Sequence, residues 1–258
     1  VMWPEALGMP PDATALGAVS ALAEDRGGAL RGALLGADGL PADLAGFETW
    51  LDDADTAPAR VLARLWRGWE PRWGSVTLPL WPGLSPSGLD LARATWHGAP
   101  FETGLPAIHA AHPLLRAIAA RQGRSLVWRL AARLVDVAAA LDALAGRAPL
   151  PAARTLAPGV GAAPAARGTM LVQGQLERGR VKALARLSPT DAALHEDGLM
   201  ARALATLPAE PDAPLEAVAR LVIEAVDPCL PYQLAFAPAA SAGPTVETPH
   251  VHRLRLLG

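Results

Sequence analysis

The 258-residue chain has very little cysteine: Cys229 is the only one. One thiol cannot close an internal disulfide, so the framework is not that of a disulfide-stapled secreted domain. There is no basic surplus. Lys and Arg number 23 against 25 Asp and Glu, for a net charge of −2, which argues against a nucleic-acid partner. No long uncharged apolar run is present. The most apolar long segment, residues 125–146, carries Arg129, Arg133, Asp136 and Asp142, too many charges for a membrane span. The first residues, "VMWPEALGMPPDA", show no basic run followed by an apolar stretch, so a soluble, cytoplasmic chain is expected. Internal repeats, a phosphate-binding loop, a dinucleotide fingerprint and a Ser–His–Asp ordering are likewise missing.

What is present is apolar material, 51% of residues, with 24 Gly, 25 Pro and eight Trp, enough for a sizeable core. The pattern predicts an α+β fold, mainly helical. Four regions are distinguished: an irregular and helical 1–106, central helices over 107–146, a Pro/Ala/Gly-rich connection over 147–166, and a C-terminal region over 167–258. All four are expected to form one body. Short helical pieces such as "ATALGAVSALAED" mark the first region, and a short strand is expected near Val76–Leu80.

"PARVLARLWRGW" reads as a helix, with Pro58 suited to its first turn and Gly68 to its stop. "HPLLRAIAARQG" reads as another. Leu126, Leu130, Leu134, Val137 and Leu141 form a stripe spaced by four, four, three and four on a long helix. "GTMLVQGQLERGRVKALARLSP" reads as a hairpin around an "ERG" turn, its basic strand solvated. "DGLMARALATL" reads as a short helix. "DAPLEAVARLVIEAV" reads as a longer one, with Pro214 in its first turn, and it delivers the chain to Asp227-Pro228-Cys229. The tail "ETPHVHRLRLLG" reads as a final strand.

Two histidine pairs have metal-ligand spacing, His109 with His112 and His250 with His252, but no further ligand cluster accompanies either. The run Trp66, Trp69, Trp73, Trp81 and Trp96 is expected in the core; if exposed, it marks a docking face. His195 and Asp197 in "HEDG" suit a turn or a polar network, and Thr190 in "SPTD" suits an N-cap or turn.

Three pieces, "ARGTMLVQG", "RLSPTDAALHEDGLMARAL" and "VDPCLPY", taken in this order and spacing, resemble the C-terminal third of nickel–iron hydrogenase large subunits. "FETGLPAIHAAHPLLRAIAARQGRSLVWRLAARLVD" is similar to the middle helices of that superfamily. The likeness spans roughly residues 100–235. The departures are informative. Such subunits hold nickel and iron with two Cys-x-x-Cys pairs. Here the N-terminal pair has no counterpart, the second position of the C-terminal pair is Tyr232, and Ala235 stands where a histidine is expected. One thiolate does not complete a soft nickel site, so no nickel is expected. The chain is therefore similar to the accessory proteins called HupK or HoxV, pared-down relatives of the large subunit.

That resemblance implies a non-enzymatic scaffold for the nickel-free Fe(CN)2(CO) unit. Cys229 is then the iron ligand, Arg167 holds one cyanide and Pro189-Thr190 the other. Ala166, Met170 or Leu187 supply an apolar wall for carbon monoxide if they face the site. The partners implied are a HypC-type small chaperone, a HypD-type iron–sulfur protein and the immature large subunit, with neither nucleic acid nor membrane. A second reading is a cofactor-free docking chaperone that mimics the large subunit. A third, a residual redox or hydrogen-sensing enzyme, is disfavoured by the missing cysteines.

Overall fold

Helices α1 (26–35), α2 (Leu44–Asp53) and α3 (Ala57–Gly68) begin the computed structural model, which describes residues 26–83, 85–208, 215–234 and 254–256, the last by backbone alone. The predicted helical pieces of residues 13–25, Pro214, Ala235, His250 and His252 lie outside the described residues. Polar side chains begin the helices. The Asp43 carboxylate accepts from Gly46 N before α2, and the Thr56 hydroxyl accepts from Ala59 N before α3, each satisfying an otherwise orphaned amide.

A small meander follows, β1 (Leu89–Asp90), β2 (Thr95–Trp96) and β3 (Ala99–Pro100). Then come α4 (Leu105–His109), α5 (Pro113–Gln122) and α6 (Leu126–Leu144), which Ser125 caps. A four-stranded antiparallel sheet takes β4 (Arg154–Ala157), β5 (Val160–Ala165), β6 (Gly168–Glu177) and β7 (Arg180–Leu187) in sequence order. Helices α7 (Pro189–Ala193), α8 (Leu199–Ala205) and α9 (Leu215–Val226) complete the helical part, and β8 (Tyr232–Leu234) pairs with β9 (Leu254–Leu256). Helices and sheets coexist in one chain, as the α+β expectation holds.

Several local expectations match. The "ERG" turn is a two-residue loop with Arg178 and Gly179 both at positive φ, as an antiparallel hairpin favours. Its outer part is solvated: Leu176, Val181 and Leu184 are exposed beside Arg180 and Lys182. Trp81 is buried, while Trp66, Trp69, Trp73 and Trp96 are half-buried and pack with other rings or core residues.

Two expectations are corrected. The connection over 147–166 carries β4 and β5, because Ala and Gly there pair across the sheet without crowding. No strand forms over Val76–Leu80 beyond a single bridge from Leu80 to Glu102. The carbonyls there go to side chains: Arg129 Nη2 donates to Val76 O at 3.1 Å, and Arg124 donates to Leu78 O.

Three apolar clusters build the core, two of them packed on α6. One joins α2, α3 and α5 to Val127, Trp128, Ala131 and Leu134. A second packs Leu126 with α8, α9, Val76 and Leu78. The third lies on the sheet, with Trp81, Phe101, Ala162, Leu171 and Leu187. The predicted stripe on α6 is buried at Leu126, Leu134 and Leu141 and half-buried at Leu130 and Val137. Burial continues round to Arg129, only 2% exposed, which makes a two-pronged contact with Glu102, 4% exposed, at 2.7 and 3.2 Å.

Removing one member of this pair strands a buried charge. Arg129→Met is expected to cost about 3–5 kcal/mol in urea denaturation, and the double change Arg129→Met, Glu102→Leu to recover most of that loss.

Candidate functional site

Three chain segments meet beside α6. The first is the entry to β6. Gly168 has φ +141, and a side chain there would come within 2.2 Å of Thr103 O. Only glycine lets the strand cross this closely over residues 103–104, where Thr169 N donates to Thr103 O at 2.8 Å. This crossing sets the preceding residue, Arg167, at the mouth of a cleft. Here lies the physical reason for an Arg-Gly dipeptide.

The second segment is the corner from β7 into α7. Ser188 is the N-cap in a capping box: Asp191 N donates to Ser188 Oγ, and Ser188 N donates to the Asp191 carboxylate at 2.8 Å. Thr190 is therefore not the cap. Its side chain is free to turn inward, where it is buried.

The third segment is the end of α9. Asp227 N donates to Ile223 O at 2.8 Å, and Asp227 takes φ +58, a left-handed ending that Asp tolerates better than most residues. Pro228 follows and Cys229 comes next. Cys229 N donates to Thr190 Oγ1 at 3.1 Å, and the Thr190 hydroxyl donates to Cys229 Sγ at 3.1 Å. One hydroxyl thus fixes both the backbone and the sulfur of an otherwise exposed cysteine.

Arg167, Pro189 and Thr190 line one narrow cleft with Glu102, Thr103, Arg129, Arg133 and Asp227, and Cys229 hangs at its edge through Thr190. The cleft volume is about 40 Å³, room for roughly two or three water-sized bodies. Its apolar lining comes from Leu105, Pro106, Ala193, Leu199, Ala225 and Val226. This corrects the expected wall. Ala166, in the turn before β6, is exposed, while alternation along β6 and β7 turns Met170 away from the lining and Leu187 into the sheet cluster.

Three guanidinium groups face two carboxylates here, leaving a positive balance. Arg129 is spoken for by Glu102. Arg133 donates to Glu224 O and Ala225 O, carbonyls at the end of α9, and lies 3.6 Å from Asp227. Burial pulls its pKa down, with Asp227 and Glu224 opposing, and it stays charged. Arg167 Nε sits 3.1 Å from Asp227 Oδ2 but off the hydrogen-bond axis, so that contact is charge on charge. Among the described residues its two terminal nitrogens have no partner.

The chain is 35% identical over 232 residues to the hydrogenase expression/formation protein HupK of Rhodobacter capsulatus, covering 89% of this chain and 68% of that protein. It is a HupK-family chain. It is also 38% identical over 145 residues to the hydrogenase expression/formation protein HupV of Azotobacter chroococcum mcd 1, covering 55% of this chain and 40% of that protein. No family model matches the chain.

In this HupK-family chain the other sequence candidates fall outside the cleft. The Tyr232 hydroxyl donates to Glu224 Oε1 at 3.0 Å on the outer side of α9. His195 and Asp197 make a turn, with Asp197 N donating to His195 Nδ1 at 3.1 Å. His109 Nε2 pairs with Asp136 Oδ1 at 2.7 Å, while His112 precedes α5 with a buried, unpartnered Nδ1. Among the described residues no group of three His, Cys, Asp or Glu is placed to hold a metal, and no helix is long and apolar enough to cross a membrane. The residues that sequence reasoning missed are Arg129, Arg133 and the 102–106 segment. The signal was two arginines four apart, which share a face on the first half of a helix whose other charges, Asp136 and Asp142, lie farther along.

Replacing Thr190 by Val removes both bonds to Cys229 without changing shape. A loss of about 1–2 kcal/mol is expected, with faster amide hydrogen exchange at Cys229 than in Thr190→Ser. The His112 pKa is lowered, by burial first and then by His109. A depressed histidine supports folding above its unfolded value, 6.5, and that support is lost as pH falls below it. The unfolding free energy should therefore drop with acidification below about pH 6.5, and His112→Gln should flatten that slope in denaturant titrations.

Proposed function

We propose that this chain acts in hydrogenase maturation as a non-catalytic scaffold, holding the nickel-free Fe(CN)2(CO) unit as cargo for transfer to an immature large subunit. The observation that carries the reading is the meeting of Cys229, Thr190 and Arg167 at one small, cationic cleft. Membership in a family whose relatives are named hydrogenase expression/formation proteins supports the maturation role. A large-subunit-like fold is part of the same proposal, resting on the ordered Arg-Gly, Pro-Thr and Asp-Pro-Cys pieces.

The chemistry is consistent with the cargo. Thiolate is a soft ligand suited to low-spin iron, and Cys229 is exposed enough to reach it. Cyanide accepts hydrogen bonds and carries negative charge, which suits the uncommitted guanidinium nitrogens of Arg167 and the Thr190–Pro189 corner. Carbon monoxide needs an apolar surface, which Leu105, Ala193 and Leu199 offer. A volume of about 40 Å³ suits diatomic ligands. A single protein–iron bond keeps the cargo releasable. Partners in this reading are a HypC-type chaperone, a HypD-type iron–sulfur protein and the large subunit, all meeting in the cytoplasm.

Infrared spectroscopy on protein purified without oxygen from cells that make the iron-assembly machinery tests the scaffold. Two cyanide bands and one carbonyl band are expected, lost in Cys229→Ala and shifted in Arg167→Gln. No bands, beside a cargo carrier that shows them, would instead favour a cofactor-free docking chaperone.

A further inference from the structure

A second cavity borders the sheet side of the 101–104 segment; it shares Thr103 with the cleft, and Cys229 is not among its lining residues. Along that segment side chains alternate. Glu102 turns to Arg129, whereas Phe101 packs with Trp81 and Leu171 on the sheet side. Thr103 follows Phe101's side. It is 1% exposed, and its hydroxyl has no hydrogen-bond partner. A buried hydroxyl without a partner is costly, and a ligand is one reason to keep it.

The sheet supplies the opposite wall. Register pairs Arg154 with Ala162, Ala162 with Leu171, and Pro164 with Thr169, so these side chains share one face. That face looks toward Trp81, Thr103 and Ile108 across a cavity of about 340 Å³, a volume typical of small-molecule sites. Arg154 stands at the rim, exposed, and among the described residues it has no ion pair or hydrogen bond. Its guanidinium lies over Gly83, where a side chain would come within 2.5 Å of Nη2. Gly83, at φ +75, keeps that seat open.

We propose that this cavity binds a small organic monocarboxylate with an apolar body. Arg154 takes the carboxylate, Trp81 and Ile108 cover the body, and the Thr103 hydroxyl meets a second acceptor atom. Nothing in this assignment depends on iron at Cys229.

The test uses the full chain and four probes, benzoate, phenylacetate, para-hydroxyphenylacetate and hexanoate, with para-hydroxyphenylacetamide as the neutral control. Binding is read by ligand-observed saturation-transfer NMR. At least one acid should bind saturably, and the amide roughly tenfold more weakly or worse, as for loss of a charged hydrogen bond. Arg154→Gln, a surface change, should erase the difference between acid and amide. Thr103→Val should weaken para-hydroxyphenylacetate while its thermal midpoint holds or rises, since the orphaned hydroxyl is gone. Cys229→Ala should bind as the parent does. Absence of saturable binding by every acid would overturn the assignment. So would binding that Arg154→Gln leaves unchanged, or uptake restricted to an acidic peptide.

Discussion

The bidentate contact between Arg129 and Glu102 ties the molecule together. Both groups are out of water, so each needs the other. Through it α6 holds the 101–104 segment, and that segment in turn holds residues 79–81 on one side and the entry to β6 on the other. A third nitrogen contact, from Arg129 to Val76 O, draws in the chain before Trp81. The charged pair thus sits at the boundary of helical core and sheet, and there Arg129 also supplies the donor for Val76 O.

The same boundary makes the cleft. Gly168 crosses Thr103 with no room for a side chain, and this sets Arg167 opposite the end of α9. Asp227 ends α9 in a left-handed turn and faces both Arg167 and Arg133. Beside the Glu102 carboxylate that Arg129 engages, the cationic cleft therefore already holds an internal anion, Asp227, facing Arg167. Another anion entering it competes with Asp227 for Arg167, which favours a hold that is firm but reversible.

Much of this was legible in the sequence because periodicity and punctuation are local. The stripe on α6, the "ERG" turn and the stop at Asp227-Pro228 needed no knowledge of the rest of the chain. The ordered Arg-Gly, Pro-Thr and Asp-Pro-Cys pieces named residues that the fold does bring together. What stayed hidden was long-range. Arg129 looked like a charge that merely forbade a membrane span, because its partner lies 27 residues away. The apolar wall was misassigned because strand alternation alone does not say which face meets the cleft. The strands of 147–166 were masked by Pro and Ala, which carry little strand preference and gain their order by pairing with β6.

The hairpin of β6 and β7 has a bearing on how the molecule behaves among copies of itself. Strand β7 is a sheet edge, and it displays Val181 and Leu184 to solvent with Leu176 beside them. Such an edge invites another strand. Arg178, Arg180, Lys182 and Arg186 lie along the same ribbon, so two like edges repel before their apolar side chains touch. That protection is screened by ions over about 8 Å at physiological salt. Lys182 also pairs with Glu177 on the ribbon, so the guard on this edge is partly neutralised and weakens further as salt rises.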